Sequence, residues 1–260
     1  MFETNRDGDE TPLADQARHG GAAAPSAAAA LAQAWRGLDL PERLAALRAH
    51  VSGRIVFTTS FGLEDQAVAH AIFTQNLAFE VVTLDTGRLF PETHQVWAET
   101  EARYGARIHA YAPGQDALEA LIIRDGINGF RSSVAARLDC CAVRKVLPLK
   151  RALSGCAAWI TGIRADQSAE RAGLGLVTFD KARGLIKANP VFDWTREQTF
   201  AFVRTHGVPY NPLHDRGFLS IGCAPCTRAV AAGEPERAGR WWWEQSEKKE
   251  CGLHLSSDLR

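Results

Sequence analysis

Two pairs of cysteines carry the clearest chemical potential in this sequence. Cys140 and Cys141 are adjacent, and Cys223 and Cys226 form a C-x-x-C pair further along the chain. Four thiolates that converge from two pairs can hold a zinc ion or an iron–sulfur cluster. Paired zinc ligands usually stand two to four residues apart, whereas adjacent helical residues point about 100° apart. The spacing therefore favours a larger cluster, with separate iron corners, over a single tetrahedral ion.

Another cysteine, Cys251, stands near the end of the chain in the stretch KKECGLH. The neighbouring Lys248, Lys249 and His254 would lower the pKa of its thiol and favour the nucleophilic thiolate. Chain ends are often poorly ordered, so an incidental free thiol on a polar tail is the alternative interpretation. The local residues leave both interpretations open.

Ser60 and Gly62 follow a predicted strand and precede a predicted helix. Such a turn can hold a phosphate group, because its backbone N–H groups and the helix dipole attract anions. The same Ser-x-Gly pattern is also common as a plain connection, so this alternative stays open. The following Glu64 and Asp65 argue against a triphosphate resting directly on this turn without magnesium.

Several basic residues lie beside the cysteine motifs and the predicted strand ends. Arginine forks suit the oxygens of sulfate and phosphate groups. A single basic residue is more often a solvated surface charge, but this placement favours an anion site. The set comprises Arg144, Lys145, Arg164, Arg171, Arg237 and Arg240.

Alternating strands and helices must position these residues. Runs of β-branched and aromatic residues predict strands at 54–59, 80–84, 107–111 and 157–161, and a hairpin at 176–187. Helices are predicted from Glu64, from Pro91, and over 115–124, 134–153 (bent at Pro148) and 195–206. This alternation indicates a parallel sheet covered on both faces, in which ligands bind beyond the carboxyl ends of the strands. The segments SFG, LDTG and TGIR stand at three of those ends.

Composition and charge limit the classes of function. The 260 residues contain 30 Lys plus Arg and 30 Asp plus Glu, so the formal net charge is zero. Global charge therefore gives no argument for binding to nucleic acid or to a membrane. No apolar run approaches the ~18 residues of a membrane span, and the first residues show no secretory signal. We expect a cytoplasmic protein with reduced cysteines.

The chain resembles the assimilatory sulfonucleotide reductases, and within that family the bacterial enzymes that act on adenylylsulfate (APS). The resemblance covers most of the chain. It is carried by SFGLED (60–65), LDTGRLFPET (84–93), LDCCAVRKVLPL (138–149), TGIRADQS (161–168), GCAPCTR (222–228) and KKECGLH (248–254). The two cysteine pairs mark the APS group, since relatives that use the 3′-phosphorylated nucleotide (PAPS) typically lack them and keep the ECGLH tail.

The resemblance implies an α/β fold with a mostly parallel sheet flanked by helices and a flexible C-terminal tail. This is the adenine-nucleotide α-hydrolase-like fold, which is related to the PP-loop proteins. The implied activity is thioredoxin-dependent reduction of APS to sulfite and AMP, in sulfate assimilation and cysteine biosynthesis. A thiolate attacks the sulfur of APS, AMP leaves, and a cysteine S-sulfonate remains until thioredoxin, or glutaredoxin, reduces it.

The resemblance also implies roles for individual residues. A [4Fe–4S] cluster would be held by Cys140, Cys141, Cys223 and Cys226. Cys251 would be the nucleophile, with Lys145 and His254 as further catalytic residues. The implied substrate-binding residues are Ser60, Gly62, Leu84, Thr86, Gly162, Arg171, Arg237 and Arg240. The segment 170–175 departs from the family pattern, which makes Arg171 a looser match than the others.

Three segments are predicted along the chain. Residues 1–34 form a disordered or weakly structured extension, residues 35–235 a nucleotide-binding α/β domain with the iron–sulfur site, and residues 236–260 a C-terminal segment with the nucleophilic cysteine. The reductant is expected as a separate protein, and formation of a homo-oligomer is left open.

Three alternatives to an APS reductase are weighed. The first is a PAPS reductase or an enzyme that accepts both nucleotides. The second, of another class, is a zinc-stabilised binding module in which the tail cysteine has no role. The third is an ATP-dependent thiolation or amidation enzyme. It is disfavoured because its phosphate loop would read SGGxDS, and this chain has Phe61, Glu64 and Asp65 there instead.

Overall fold

The computed structural model describes residues 24–244 and residue 253. The helices are α1 (Ala24–Ala34), α2 (Leu40–His50), α3 (Leu63–Thr74), α4 (Pro91–Tyr104), α5 (Gln115–Asp125), α6 (Val134–Cys141), α7 (Leu147–Ala152), α8 (Ala169–Ala172) and α9 (Arg196–Thr205). The strands are β1 (Ile55–Thr59), β2 (Glu80–Leu84), β3 (His109–Tyr111), β4 (Ala158–Ile160), β5 (Val177–Asp180) and β6 (Leu185–Ala188). The strands predicted from apolar runs and the hairpin are therefore confirmed, with ends that differ by a residue or two.

The strands form one sheet in the order β3-β2-β1-β4-β6-β5, parallel throughout except for the antiparallel pair β5–β6. The central strand β1 is apolar on both faces because helices cover both faces. Ile55 and Phe57 pack into one core cluster, while Val56 packs into a second cluster on the opposite face. The fold class predicted from the sequence is confirmed.

The N-terminal helix α1 corrects one expectation. Residues 1–34 were expected to be disordered or weakly structured, but α1 is part of the core, with Ala28 and Leu31 buried beside Trp35. Alanine has the highest intrinsic helix propensity, and these three residues recur at helical spacing on one face. The alanine-rich composition of this stretch therefore encodes a packed helix, and residues 1–23 lie outside the described part.

The predicted long helix at 134–153 is divided into three parts. Between α6 and α7 the chain makes a π-helical segment, Ala142–Val146. Pro148 falls in the first turn of α7, where a missing N–H group is tolerated. π-Helical segments inside α-helices are frequent at functional sites. This one directly follows Cys141 and carries Arg144 and Lys145.

Two helix starts show how capping residues set the boundaries. A capping box begins α9, with Thr195 and Gln198 each accepting from the other's backbone N–H group. The same arrangement joins Asp39 and Glu42 at the start of α2, a helix that the sequence analysis missed. Across residues 24–244, no helix is both long and apolar enough to cross a membrane.

Candidate functional site

A cavity of about 190 Å³ lies beyond the carboxyl ends of β1, β2 and β4; we call it the strand-end cavity. The three predicted segments SFG, LDTG and TGIR all contribute to its wall. Every predicted substrate-binding residue lines it, together with Lys145 of the π-helical segment: Ser60, Gly62, Leu84, Thr86, Gly162, Arg171, Arg237 and Arg240. Residues that are far apart in the sequence are thus brought to one place.

The turn after β1 is held by the start of α3. Oδ2 of Asp65 accepts hydrogen bonds from the backbone N–H group of Ser60 at 2.6 Å and from its hydroxyl at 2.7 Å. Phe61 has a φ of 59°, which is uncommon for a residue with a side chain. Its buried ring stacks on Trp97 with centroids 5.6 Å apart, and this packing supports the strained backbone.

Gly162, after β4, lies in close contact with the start of α3. A Cβ atom at this position would lie 2.2 Å from Oδ1 of Asp65 and 3.0 Å from its backbone nitrogen. Only glycine permits that approach. Burial raises the pKa of Asp65 to about 6, although hydrogen bonds from Ser60 and Gly162 favour its ionised form.

Beneath the cavity wall, Arg164 forms a buried network of ion pairs. Its guanidinium is fully buried and lies 2.7 Å from Glu64 and 2.8 Å from Glu236, with Asp166 as a third partner. Burial disfavours the charge on Glu64, but Arg164, a backbone hydrogen bond and His214 together outweigh it, and the pKa of Glu64 is lowered. Arg164 thus joins three loops, whereas its sequence position had indicated an anion ligand.

All four paired cysteines line a second, smaller cavity, which we call the cysteine cavity. Cys141, Cys223 and Cys226 are buried, Cys140 is half-buried, and each is a free thiol. Phe130 and Trp241 pack against them, and basic side chains also line the cavity: Arg88, Arg137, Arg144 and Lys145. Within the described ranges, no group of three or more His, Cys, Asp or Glu is arranged to hold a metal ion.

The basic surroundings affect the cysteines unequally. Burial raises the pKa of Cys140, and it raises the pKa of Cys226 to about 11. Burial also acts on Cys223, but Lys145, a contact with the Thr86 hydroxyl at 3.3 Å and two arginines outweigh it. The pKa of Cys223 is therefore lowered, and its thiolate is the most favoured of the three.

The two cavities meet at Lys145 and Cys223, which line both. Arg240 lies nearby, with its guanidinium carbon 4.7 Å from the centroid of the Trp241 ring. A Cβ atom on Gly222 would lie 2.2 Å from Nη2 of Arg240, so this glycine leaves room for the guanidinium. Basic groups are thus packed between the strand-end cavity and the thiols.

Of the remaining predicted site residues, Arg171 lies at the strand-end cavity, and two belong to the C-terminal segment. Arg171 lines the strand-end cavity despite the weaker motif around it, and its Nη1 donates to Oε1 of Gln167 at 2.6 Å. The predicted nucleophile Cys251 and the predicted catalytic His254 lie outside the described residues. Leu253, between them in the sequence, is described and lines the strand-end cavity.

Among the buried residues of the cavity wall that the sequence analysis did not single out is His214. Its Nδ1 lies 2.9 Å from the backbone oxygen of Phe218, and burial lowers its pKa. Its Nε2 is buried and has no hydrogen-bond partner within the described part of the chain. A single histidine in the stretch PLHDR has no spacing that would have marked it.

Fold and cavity together define a class: α/β proteins that bind a ligand beyond the carboxyl edge of a largely parallel sheet, here with the adenine-nucleotide α-hydrolase-like architecture. Residues 54–229 match the family model described as the phosphoadenosine phosphosulfate reductase domain. The chain belongs to this family, as the resemblance in the sequence had indicated.

Relatives and a solved structure agree with this assignment. The chain is 54% identical to an adenosine 5′-phosphosulfate reductase of Agrobacterium fabrum, over 85% of this chain and 84% of the relative. It is also 54% identical to one of Allochromatium vinosum, over 77% and 78%. A crystal structure of phosphoadenylyl-sulfate reductase from Candida auris, in complex with phosphate, superposes with a TM-score of 0.66 at 26% identity, covering 78% of this chain and 96% of that one.

Proposed function

We propose that this protein reduces APS to sulfite and AMP in the cytoplasm, with thioredoxin as the electron donor. One observation carries the proposal: the strand-end cavity and the cysteine cavity share Lys145 and Cys223. A sulfonucleotide in the first cavity would therefore lie beside a basic group that also faces the thiols. The names of relatives at 54% identity, each matched over most of its length, support APS as the substrate.

The basic side chains of the cavity suit the phosphosulfate group of APS. Lys145, Arg171, Arg237 and Arg240 all line it, and each can donate to oxygen atoms of an anion. Such contacts are stronger in a partly buried site than in water, because the local dielectric constant is lower. Ser60 and Gly62 would meet the nucleotide as well, with Leu84, Thr86 and Gly162 near the adenine and ribose.

The proposed reaction has two stages. First, the Cys251 thiolate attacks the sulfur of APS, an S–S bond forms, and the S–O bond to the phosphate breaks. AMP leaves with the bonding electrons, and an S-sulfonate remains on Cys251. In the second stage a thioredoxin thiolate attacks Cys251, sulfite leaves, and the second thioredoxin thiol resolves the mixed disulfide. Thioredoxin thus supplies two electrons.

The remaining catalytic roles follow from charge. Lys145, with Arg237 and Arg240, would neutralise the charge that develops on the sulfate and phosphate oxygens. His254 would favour the thiolate of Cys251, which stands three residues before it.

The four thiols are not arranged around a single metal ion within the described residues, but their chemistry as a donor set suits a [4Fe–4S] cluster. Cys140, Cys141, Cys223 and Cys226 are four thiols around one space, and thiolates are the usual ligands of such clusters. Adjacent Cys140 and Cys141 suit separate iron corners better than one tetrahedral ion. When bound, the cluster would supply a compact anionic centre, and the basic side chains around the cavity would balance its charge.

Two alternatives remain distinguishable. The family model and the Candida auris structure carry the name of PAPS reduction, which keeps PAPS as a second substrate to test. The identity to that structure is 26%, against 54% for the APS reductases, and this difference favours APS. A zinc-stabilised binding module would instead give a colourless, zinc-loaded protein after anaerobic purification, without the visible absorption of an iron–sulfur cluster.

The test begins with incubation of the anaerobically purified protein with APS and no reductant. Mass spectrometry should then find one sulfonate adduct, on Cys251, with an equal amount of AMP released. Adding thioredoxin should release sulfite, and PAPS should give a slower reaction. A Cys251→Ser variant should form no adduct, whereas Cys156→Ser, which changes a half-buried thiol outside both cavities, should behave as the wild type. An adduct on any other residue would overturn the mechanism.

A further inference from the structure

Leu253 lies at the wall of the strand-end cavity and packs against two apolar clusters. Its side chain packs against an apolar cluster that contains Trp159, Leu149 and Leu153, and also against the cluster of buried cysteines around Trp241. It lines the strand-end cavity as well. This single residue therefore contacts both sides of the site from the C-terminal segment.

Arg183, in the turn between β5 and β6, contacts the backbone of the same residue. Its Nη2 lies 3.4 Å from the carbonyl oxygen of Leu253. Its Nη1 donates to Oδ2 of Asp180 at 2.6 Å, and its guanidinium carbon lies 5.4 Å from the centroid of the Trp159 ring. Asp180 and Trp159 thus fix the direction of Arg183 independently of Leu253.

We propose that Arg183 and the apolar cluster around Trp159 together hold Leu253 in place; we call this arrangement the clamp. Through the clamp, Arg183 is a positioning residue for the nucleophile Cys251. Cys251 stands two residues before Leu253, and two extended residues span at most about 7 Å. Anchoring Leu253, which lines the strand-end cavity, would therefore keep the Cys251 thiol within reach of that cavity. Such confinement raises the rate of a bond-forming step, because less orientational freedom is lost at the transition state.

The clamp holds Leu253 only weakly, so the C-terminal segment can be released between the two stages of the reaction. It consists of one long hydrogen bond and one half-buried leucine. Attack on the nucleotide needs the thiol beside the cavities, whereas reduction needs the S-sulfonate to be reached by another protein. The clamp should accordingly speed the first stage and leave the second unassisted. The positioning role of Arg183 and its effect on the two stages rest on the proposed function, whereas the contact between Arg183 and Leu253 does not.

The test compares Arg183→Ala and Leu253→Ala with a matched control. Lys181→Ala removes an exposed charge from the same turn and should behave as the wild type. With saturating APS, we expect the single-turnover rate of S-sulfonation to fall about 5-fold in Arg183→Ala and about 10-fold in Leu253→Ala. AMP affinity should stay within a factor of two in Arg183→Ala, because Arg183 does not line the strand-end cavity. Leu253→Met, which conserves the volume, should restore most of the rate.

Two further measurements separate positioning from general stability. Reduction of preformed S-sulfonate by thioredoxin should be as fast in both variants as in the wild type, or faster. With AMP bound, alkylation of Cys251 by iodoacetamide, followed by site-resolved mass spectrometry, should be about 5-fold faster in Arg183→Ala. Equal alkylation in the variants, the control and the wild type would overturn the clamp. Failure of the wild type to form an adduct with APS would instead overturn the proposed function, since alkylation needs no turnover.

Discussion

Replacing Gly162 by alanine tests whether the strand-end cavity depends on the contact between the loop after β4 and the start of α3. The added Cβ atom would lie 2.2 Å from Oδ1 of Asp65, a distance that must grow to at least 3.0 Å. Asp65 cannot retreat without weakening the two hydrogen bonds that it accepts from Ser60. The substitution therefore acts on the turn that is proposed to meet the nucleotide.

The expected magnitude combines crowding with hydrogen-bond loss. An extra carbon in a tightly packed place costs about 1–3 kcal/mol, and a weakened hydrogen bond to a charged group a similar amount. We expect a loss of about 3 kcal/mol in the free energy of unfolding, or roughly 6–12 °C in Tm for a chain of this size. AMP affinity should fall at least about 10-fold, because the Ser60 turn is displaced.

Gly114→Ala is the matched control. A Cβ atom there meets nothing within 4 Å, and the φ of −63° suits alanine. Thermal unfolding and AMP titration of both variants check the prediction. If Gly162→Ala matched Gly114→Ala in Tm and in AMP affinity, the two loops would not need their close contact, and the reasoning would be refuted.

Two more predictions concern charge. Lys145→Ala should slow single-turnover S-sulfonation about 10-fold or more while the visible spectrum of the cluster is kept. The control Lys150→Ala, which changes an exposed lysine of α7, should leave this rate unchanged. Equal rates in the two variants would exclude a role for Lys145. Burial raises the pKa of Asp65 to about 6 from its ordinary 3.8, so the folded state holds the proton of this carboxyl more tightly. Stability should therefore fall by about 3 kcal/mol as pH rises from about 4 to 6. Asp65→Asn should remove this loss, whereas Asp116→Asn, at an exposed position on α5, should keep it; identical pH profiles in urea titrations would contradict the assignment.

The sheet was predictable because its strands are short apolar runs whose character comes from burial on both faces. Strand β2 was predicted at its observed bounds, and Gly162 and Thr86 were placed at strand ends that do meet. Helix α1 was assigned to a disordered or weakly structured extension, and α2 was not predicted. Alanine-rich sequence is common to linkers and helices, and only packing against the core distinguishes α1. The Asp39–Glu42 capping box that begins α2 was present in the sequence and could have been used.

The candidate site was predictable where a motif carries it and not where tertiary contacts decide. Arg240 and Lys145 were assigned from motifs, and the structure places both at the cavity wall. Arg164, in the equally recognisable TGIR segment, was grouped with possible anion ligands but is enclosed by carboxylates. The residues that enclose it come from α3 and from the segment near residue 236. No local sequence pattern predicts that these carboxylates converge on Arg164. Sequence alone therefore could not distinguish a buried, paired arginine from one that binds a ligand.

The Arg164 network explains how the basic residues of the C-terminal part are held at the cavity. A buried group of ions is weak evidence for stability, because desolvation offsets much of the attraction. What it provides is a fixed geometry, since removing Arg164 would leave the charges of Glu64 and Glu236 buried without their partner. Glu236 directly precedes Arg237 in the sequence, and its ion pair with Arg164 ties that stretch to the end of β4. Two segments joined only by apolar contacts could shift along each other. A guanidinium group, in contrast, donates hydrogen bonds only to acceptors that lie near its plane. The loop that carries Gly162 and the segment that carries Arg237 are thus held in one register over the strand-end cavity.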